Sequence, residues 1–589
     1  MAWGSDAVAG IVNFVLDRDF TGIKGEAQGG VTTYGDDRSY KFSLSAGAKF
    51  ADGRGHLLLT GEVAHNDGIE GIGDRDWYNY AKVFVNPAYN ATTNNTVPQL
   101  LNREGAGFAT ATPGGIITAS PANAATGAAA NALRGTYFGP GGTPLQFNYG
   151  SPIGGNVMQG GQYKYADWGR NGDLDPRLGR QNVFGRVSFD VTDRIQVFGQ
   201  LSWGRATSNV AFGTQANYGN ITIRSDNAFI PASVAARVAA LGISSFSLGT
   251  LNEDLGKITT NSERTSVRPV IGAKGDFDAL GSKWSWDVYG QKTVTHSYLE
   301  SNLSISANYA NAIDSVRNAN GAIVCRVTLT NPNSGCVPYN IFGTGVNSQA
   351  ALDYVRGTAF LRTKLTEDVV AANLRGDPFS TWAGPVSVAA GVEHRREKVS
   401  GSVDALDAAS LATSIANGTA RVPPYFAGNY LPSSGSYHVT EGYLQAVVPL
   451  AKDVAFARSL DVNLGVRATD YSTSGYVTTW RAGVTYKPID DVTIRASRSR
   501  DIRAPNLAEL FQASQASTST VNDPARNLAT TIVFAQTSGN RDLNPEKADS
   551  YGVGLVLQPR FLPGFAASAR IVFRAVSINS NWTGRLVFC

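Results

Sequence analysis

A period of two, recurring in segments of about a dozen residues, constrains this chain more than any other feature. Leu460, Val462, Leu464, Val466 and Ala468 share one parity, while Asp461, Asn463, Gly465, Arg467 and Thr469 share the other. Tyr40, Phe42, Leu44, Ala46, Ala48 and Phe50 alternate with Ser39, Lys41, Ser43, Ser45, Gly47 and Lys49. Successive side chains of a strand point to opposite faces, so the pattern predicts strands with one apolar and one polar side. Fifteen such segments are present: 22–34, 38–50, 55–66, 181–192, 194–206, 266–277, 283–296, 366–376, 385–398, 437–449, 459–471, 475–487, 491–502, 547–558 and 565–575. Strands of soluble domains average about 5–6 residues, whereas strands that cross a bilayer at a tilt need about 9–11.

The spacing between segments sorts by parity. Even gaps are short: 51–54, 193, 278–282, 377–384, 450–458, 488–490 and 559–564. Every long gap is odd: 67–180, 207–265, 297–365, 399–436 and 503–546. In an antiparallel sheet, odd and even gaps lie at opposite ends. One end therefore carries short turns and the other all the long loops, the asymmetry of outer-membrane barrels. Aromatic residues of the apolar parity gather near both ends, Phe50, Trp284, Trp286 and Tyr486 at one and Tyr40, Trp203 and Tyr476 at the other. Such rings form the interfacial girdles of a barrel. A soluble β-sandwich or β-helix would also alternate, but with shorter strands and unsegregated loops.

Composition agrees. Charged residues make up 17% of the 589 residues, with Lys+Arg 51 against Asp+Glu 47, which leaves no basic footprint for nucleic acid. No apolar run is long enough for a transmembrane helix. Within the gaps, 105–133 is an Ala/Gly/Thr-rich stretch that reads as a mobile loop. Residues 231–241 read as a short helix, with Pro231 in the first turn and Val234, Val238 and Leu241 on one face, and 406–416 as another.

No pattern points to catalysis, a cofactor or a metal. The five His (His56, His65, His296, His394 and His438) are scattered without ligand spacing. Asp74/Asp76 and Asp173/Asp175 read as solvated loop charge. Cys325 and Cys336 bracket a turn built on Asn331-Pro332-Asn333 and Gly335. A disulfide at the long-loop end is the favoured reading, with two free thiols as the alternative.

Two segments carry a family resemblance. GSDAVAGIVNFVLD, from Gly4 to Asp17 and including Ser5, Asp6, Ala7, Gly10 and Asn13, resembles the end of the plug domain of TonB-dependent outer-membrane receptors, with Trp3 where that family typically has Tyr. Arg503-Ala504-Pro505, Glu509-Leu510-Phe511 and Asn544-Pro545-Glu546-Lys547 resemble the family's late-barrel signature, in which a strand ends in an Arg-Ala-Pro turn and the next opens on Asn-Pro-Glu-Lys. The stretch CRVTLTNPNSGCVPYNIFG is similar to a loop of large members.

The resemblance implies an all-β, transmembrane antiparallel barrel in the outer membrane, with long extracellular loops. It implies the TonB complex as partner of the parent protein and active uptake of a bulky nutrient, such as an iron–siderophore complex. It implies no enzymatic activity. A passive porin-like channel is the alternative function. The expected division is a plug remnant over 1–21, a partial barrel over 22–575 and an off-pattern tail over 576–589. The count of fifteen falls short of the roughly 22 strands of plugged transporters. Neither a signal peptide nor a TonB-contacting box precedes Gly4. The chain therefore reads as the middle of a receptor, expected not to drive uptake by itself. With fifteen strands the first and last run in the same direction, so an open sheet is expected.

Overall fold

The computed structural model describes residues 15–79, 81–86, 88–89, 93–154, 156–417, 421–428, 430–523, 529–562 and 564–577. One antiparallel sheet of fifteen strands dominates it. We number these β1 (Gly22–Gly30), β2 (Ser39–Phe50), β3 (Gly55–Asn66), β4 (Arg177–Thr192), β5 (Ile195–Thr214), β6 (Lys257–Ala279), β7 (Ser282–Ser304), β8 (Arg356–Thr381), β9 (Gly384–Val403), β10 (Ser434–Val454), β11 (Ala457–Tyr471), β12 (Gly475–Ile489), β13 (Val492–Arg503), β14 (Glu546–Leu557) and β15 (Ala567–Ser577).

Every strand pairs with its neighbour in the chain, from β1 with β2 through to β14 with β15. All fifteen expected strands are present, in order. Among the described residues β1 and β15 do not pair, so the sheet is open. The expected plug remnant falls mostly outside the described residues, as does the tail from 578 on.

The central strands are longer than the alternation foretold. β6 and β7 have 23 residues each and β8 has 26. The added length lies mainly at the long-loop end. There the sequence no longer alternates: Asn261, Ser262, Glu263, Arg264 and Thr265 are polar on both parities yet lie within β6. A strand wet on both faces keeps its ladder but loses its hydrophobic period.

The two faces of the sheet differ. Leu444, Leu464 and Val466 sit on one face, exposed at 51%, 48% and 42%, with Val370 and Val392 alongside. Their cross-strand partners continue the same face, Leu444 opposite Val466 and Leu464 opposite Ala482. The other face is polar and charged. The main apolar core lies in neither face. It lies in the loops, where Ile117, Leu133, Phe138, Val238, Phe246, Tyr309 and Phe342 form one buried cluster.

Candidate functional site

The loops fold together into a cap. Strands Asn217–Arg224, Ser245–Thr250, Ile116–Ala119, Thr136–Phe138 and Pro144–Gln146 make a second sheet from two different loops. Helices α1 (Ala232–Ala240), α2 (Ser306–Ile313) and α3 (Gln349–Val355) pack residues against the same core. Helix α1 forms where the sequence placed it, with Val234 and Val238 buried. The stretch 105–133 corrects the expectation of a mobile loop. It contains the strand Ala106–Phe108, and Ile116, Ile117 and Leu133 are fully buried. Its few large apolar residues are the ones that anchor it, and the low-complexity residues between them form the turns.

Polar contacts tie the loops to one another. Arg326 donates Nε to both carboxylate oxygens of Asp314 at 3.1 Å and Nη2 to Asp226 at 2.6 Å. Its guanidinium holds the Asp226 carboxyl below the usual range. Asp254 accepts from the Gly345 amide at 2.7 Å and from the Asn347 side chain at 2.9 Å. The buried Tyr309 hydroxyl donates to Asn252 at 2.6 Å, and burial pushes that phenol well up. Cys325 and Cys336 are joined as a disulfide in the loop between β7 and β8, with Cα atoms 6.2 Å apart. Cys325 is buried, and Cys336 packs on the cap core.

The polar face beneath the cap is a hydrogen-bonded lattice. Glu441 binds Arg467 and accepts from Thr469 at 3.2 Å. Arg467 stacks over Tyr443, whose hydroxyl donates to Asn373 at 2.8 Å, and Asn373 donates to Asp287 at 2.9 Å. Arg395 lies between Glu393 and Glu397. Gln291 joins Arg268 to Glu367. Near the short-turn end, Phe20 lies on this face, its carbonyl 2.8 Å from His56 Nε2. A Cβ on Gly47 would come within 1.9 Å of that carbonyl, so the close approach requires glycine.

A family model described as TonB dependent receptor-like, beta-barrel, matches residues 244–573, more than half of the chain. The chain belongs to this family. Solved structures that it resembles include the siderophore receptor PirA from Acinetobacter baumannii, at 13% identity and a TM-score of 0.47 over 97% of this chain and 55% of that one. A mutant of the ferric enterobactin receptor PfeA from Pseudomonas aeruginosa aligns at 14% identity and 0.46 over 97% and 56%. The ferric-catecholate import receptor Fiu from E. coli K12 aligns at 10% and 0.39 over 96% and 62%. The chain thus spans a little over half the length of these receptors. Nothing matches among curated proteins.

TonB-dependent receptors are outer-membrane barrels, which gives the two faces their meaning: the apolar face meets lipid and the polar face lines the lumen. The late-barrel signature residues form a clip at the lumenal rim. Arg503 ends β13 and Glu546 opens β14 opposite it, with Lys547 opposite Ile502. Asn506 and Glu509 form a capping box on helix α5 (Leu507–Phe511). Leu510 is buried against Tyr437, Val439 and Ile502, and Phe511 lies against Gly435. Ala504, Pro505 and Pro545 are buried in the same junction, while Asn544 is exposed. Gly4, Ser5, Asp6, Ala7, Gly10 and Asn13 lie outside the described residues.

Of the acidic pairs, Asp173 and Asp175 fasten loops, while Asp74 and Asp76 are exposed loop charge. Asp173 accepts from the Ala211 amide at 2.7 Å and Asp175 from Asn66 at 3.2 Å, while Asp74 lies 3.9 Å from Arg170. Among the described residues no group of three or more His, Cys, Asp or Glu is placed to hold a metal. Sequence reading missed one association. His394 and His438, read as scattered, lie with ring centroids 5.9 Å apart, because Arg396 is the cross-strand partner of His438.

Proposed function

We propose that this chain forms the barrel and loop region of a receptor that imports a bulky nutrient, such as an iron–siderophore complex, across the outer membrane with energy delivered through TonB. The observation that supports this reading best is the folded cap. Loops that share one apolar core present a fixed surface above a polar lumen face, and a fixed surface is what recognition of a particular large solute needs. A passive pore gains nothing from ordering so much chain over its mouth.

The test is binding. Purified chain in detergent is titrated with a ferric hydroxamate, a ferric catecholate, haem and cobalamin, and tryptophan quenching is followed. Saturable binding of one class, weakened at least tenfold by Val238→Asp in the cap core, is the expected result. Failure to bind any of them, together with steady ohmic conductance in planar bilayers, would favour the porin-like alternative.

A further inference from the structure

Strand register brings two imidazoles together that lie 44 positions apart in the chain. Val370, His394, Thr440 and Asp470 form one cross-strand row over β8 to β11, and Asp368, Arg396 and His438 form the row above it. His394 and His438 are therefore diagonal neighbours on β9 and β10, with ring centroids 5.9 Å apart and ring planes at 37°. Both are exposed. Outward positions are apolar up to Val392 on β9 and Leu444 on β10, and become polar from His394 and Thr440 on. The two rings thus stand at the level where lipid gives way to water.

Their spacing suits a shared ion. Two imidazoles that each bind one metal at about 2.0–2.1 Å have centroids about 5 Å apart in tetrahedral geometry and about 6.5 Å apart when the ligands are opposite. The observed 5.9 Å falls between the two. His394 Nδ1 lies 2.9 Å from the Thr440 hydroxyl oxygen. Donating the Nδ1 proton to Thr440 fixes the ring and leaves the Nε2 lone pair as ligand, the arrangement in which metal-binding histidines are held. Among the described residues the His438 ring has no hydrogen-bond partner, while the His438 backbone amide donates to Ser472 at 2.9 Å.

The charged neighbours act in opposite directions. Arg396 stands across from His438, with Lys398 next on the same face, and both work against a cation. Asp470 stands across from Thr440, is exposed, and makes no ion pair among the described residues, which favours one. Asp368 is taken up by Lys292 at 2.7 Å.

We propose that His394 and His438 together bind one late first-row divalent cation, of the Zn²⁺ or Cu²⁺ class, through one nitrogen of each ring, with water in the remaining positions. Imidazole suits these ions, whereas Mg²⁺ and Ca²⁺ take oxygen ligands. β9 and β10 flank the loop 404–433, so a bound ion joins the two strands at the root of that loop. The site rests on strand register and not on the uptake reading.

The full chain, without an affinity tag, is titrated by calorimetry in detergent with Zn²⁺ and separately with Cu²⁺. One saturable site per chain is expected. His394→Gln and His438→Gln should each weaken it at least tenfold. Thr440→Val, which removes the partner of Nδ1, should weaken it severalfold. Arg396→Gln, which removes the opposing charge, should tighten it. His65→Gln/His296→Gln, which removes two histidines elsewhere, should leave it unchanged. Electron paramagnetic resonance of the unaltered chain loaded with Cu²⁺ should show coupling to two imidazole nitrogens, a readout that does not depend on a variant folding. No saturable binding of either ion, a spectrum with fewer than two coupled imidazoles, unchanged affinity in either single-histidine variant, or an equal loss in the His65/His296 control would overturn the site.

Discussion

Arg503 grips Glu546 with a two-pronged fork, Nε to Oε2 at 2.9 Å and Nη2 to Oε1 at 2.5 Å. The two residues are cross-strand partners at the point where the chain leaves β13 and returns in β14. The third nitrogen, Nη1, reaches Glu509 at 2.8 Å, and Glu509 in turn accepts from the Asn506 amide at 2.9 Å. One guanidinium thus fastens a strand end, a strand start and a helix start.

Arg503→Lys should break this arrangement, because an ammonium cannot hold two carboxylates in planar forks. The site is about one-third exposed, so the loss is expected to be about 1 kcal/mol or less. Arg503→Ala should go further and release helix α5. Limited proteolysis between 504 and 545 is the readout; cleavage there as slow as in the unaltered chain would contradict the clip.

The disulfide should matter to the cap and not to the sheet. Closing a loop of this size contributes about 3 kcal/mol in the chain-entropy model. Cys325→Ser should therefore speed hydrogen exchange in α2, α3 and the loop between β7 and β8, while β9–β13 remain as protected as before. Alkylation after reduction should add two labels in that loop; two labels without reduction would mean the thiols are free.

Helix α4 (Ala405–Asn417) should dock less firmly as pH rises. Burial, followed by the neighbouring Asp404, pushes the Asp407 carboxyl up to about 7 against the pull of Arg421. The folded state therefore holds a proton that the unfolded state gives up near pH 4. The stability linked to that proton is complete below about pH 4 and is lost as pH rises through 7. Asp404, Arg421 and Tyr425 are the ionisable groups packed around it. Exchange of α4 amides should be faster at pH 8 than at pH 5 after correction for intrinsic rates, and Asp407→Asn should flatten the difference. A flat profile in the unaltered chain would count against the assignment.

Orientation can be tested with arginine. Leu464→Arg places a charge in lipid and should cost about 2–4 kcal/mol near the bilayer midplane. Asn463→Arg places it in the lumen and should cost much less. Guanidinium unfolding from vesicles compares the two; a larger cost at Asn463 would mean the faces have been assigned the wrong way round, and equal costs would mean that neither face meets lipid.

Much of this architecture is readable from the residues, for a reason specific to membrane strands. Lipid demands an apolar side chain at every second position, so Leu460 to Ala468 announce their strand without help from the rest of the fold. Legibility fails where that demand stops. Asn261 to Thr265 are strand residues with water on both sides, and nothing in their order reveals it. The cap core was hidden for a different reason. Ile117, Phe246 and Phe342 come from three separate loops, and no local period links them. The Arg503 junction could be matched as a motif, but its fork and helix cap depend on a contact that spans 43 positions. The pairing of His394 with His438 needed the strand register, which alternation leaves open.

The long central strands also set a height. At about 3.3 Å per residue and a tilt near 45°, a 23-residue strand rises about 50 Å, roughly twice the apolar band of such a barrel. The cap therefore stands well clear of the lipid, like a turret on a short tower. Whatever approaches from the medium, including molecules as large as an antibody, meets the folded loops before it meets the membrane.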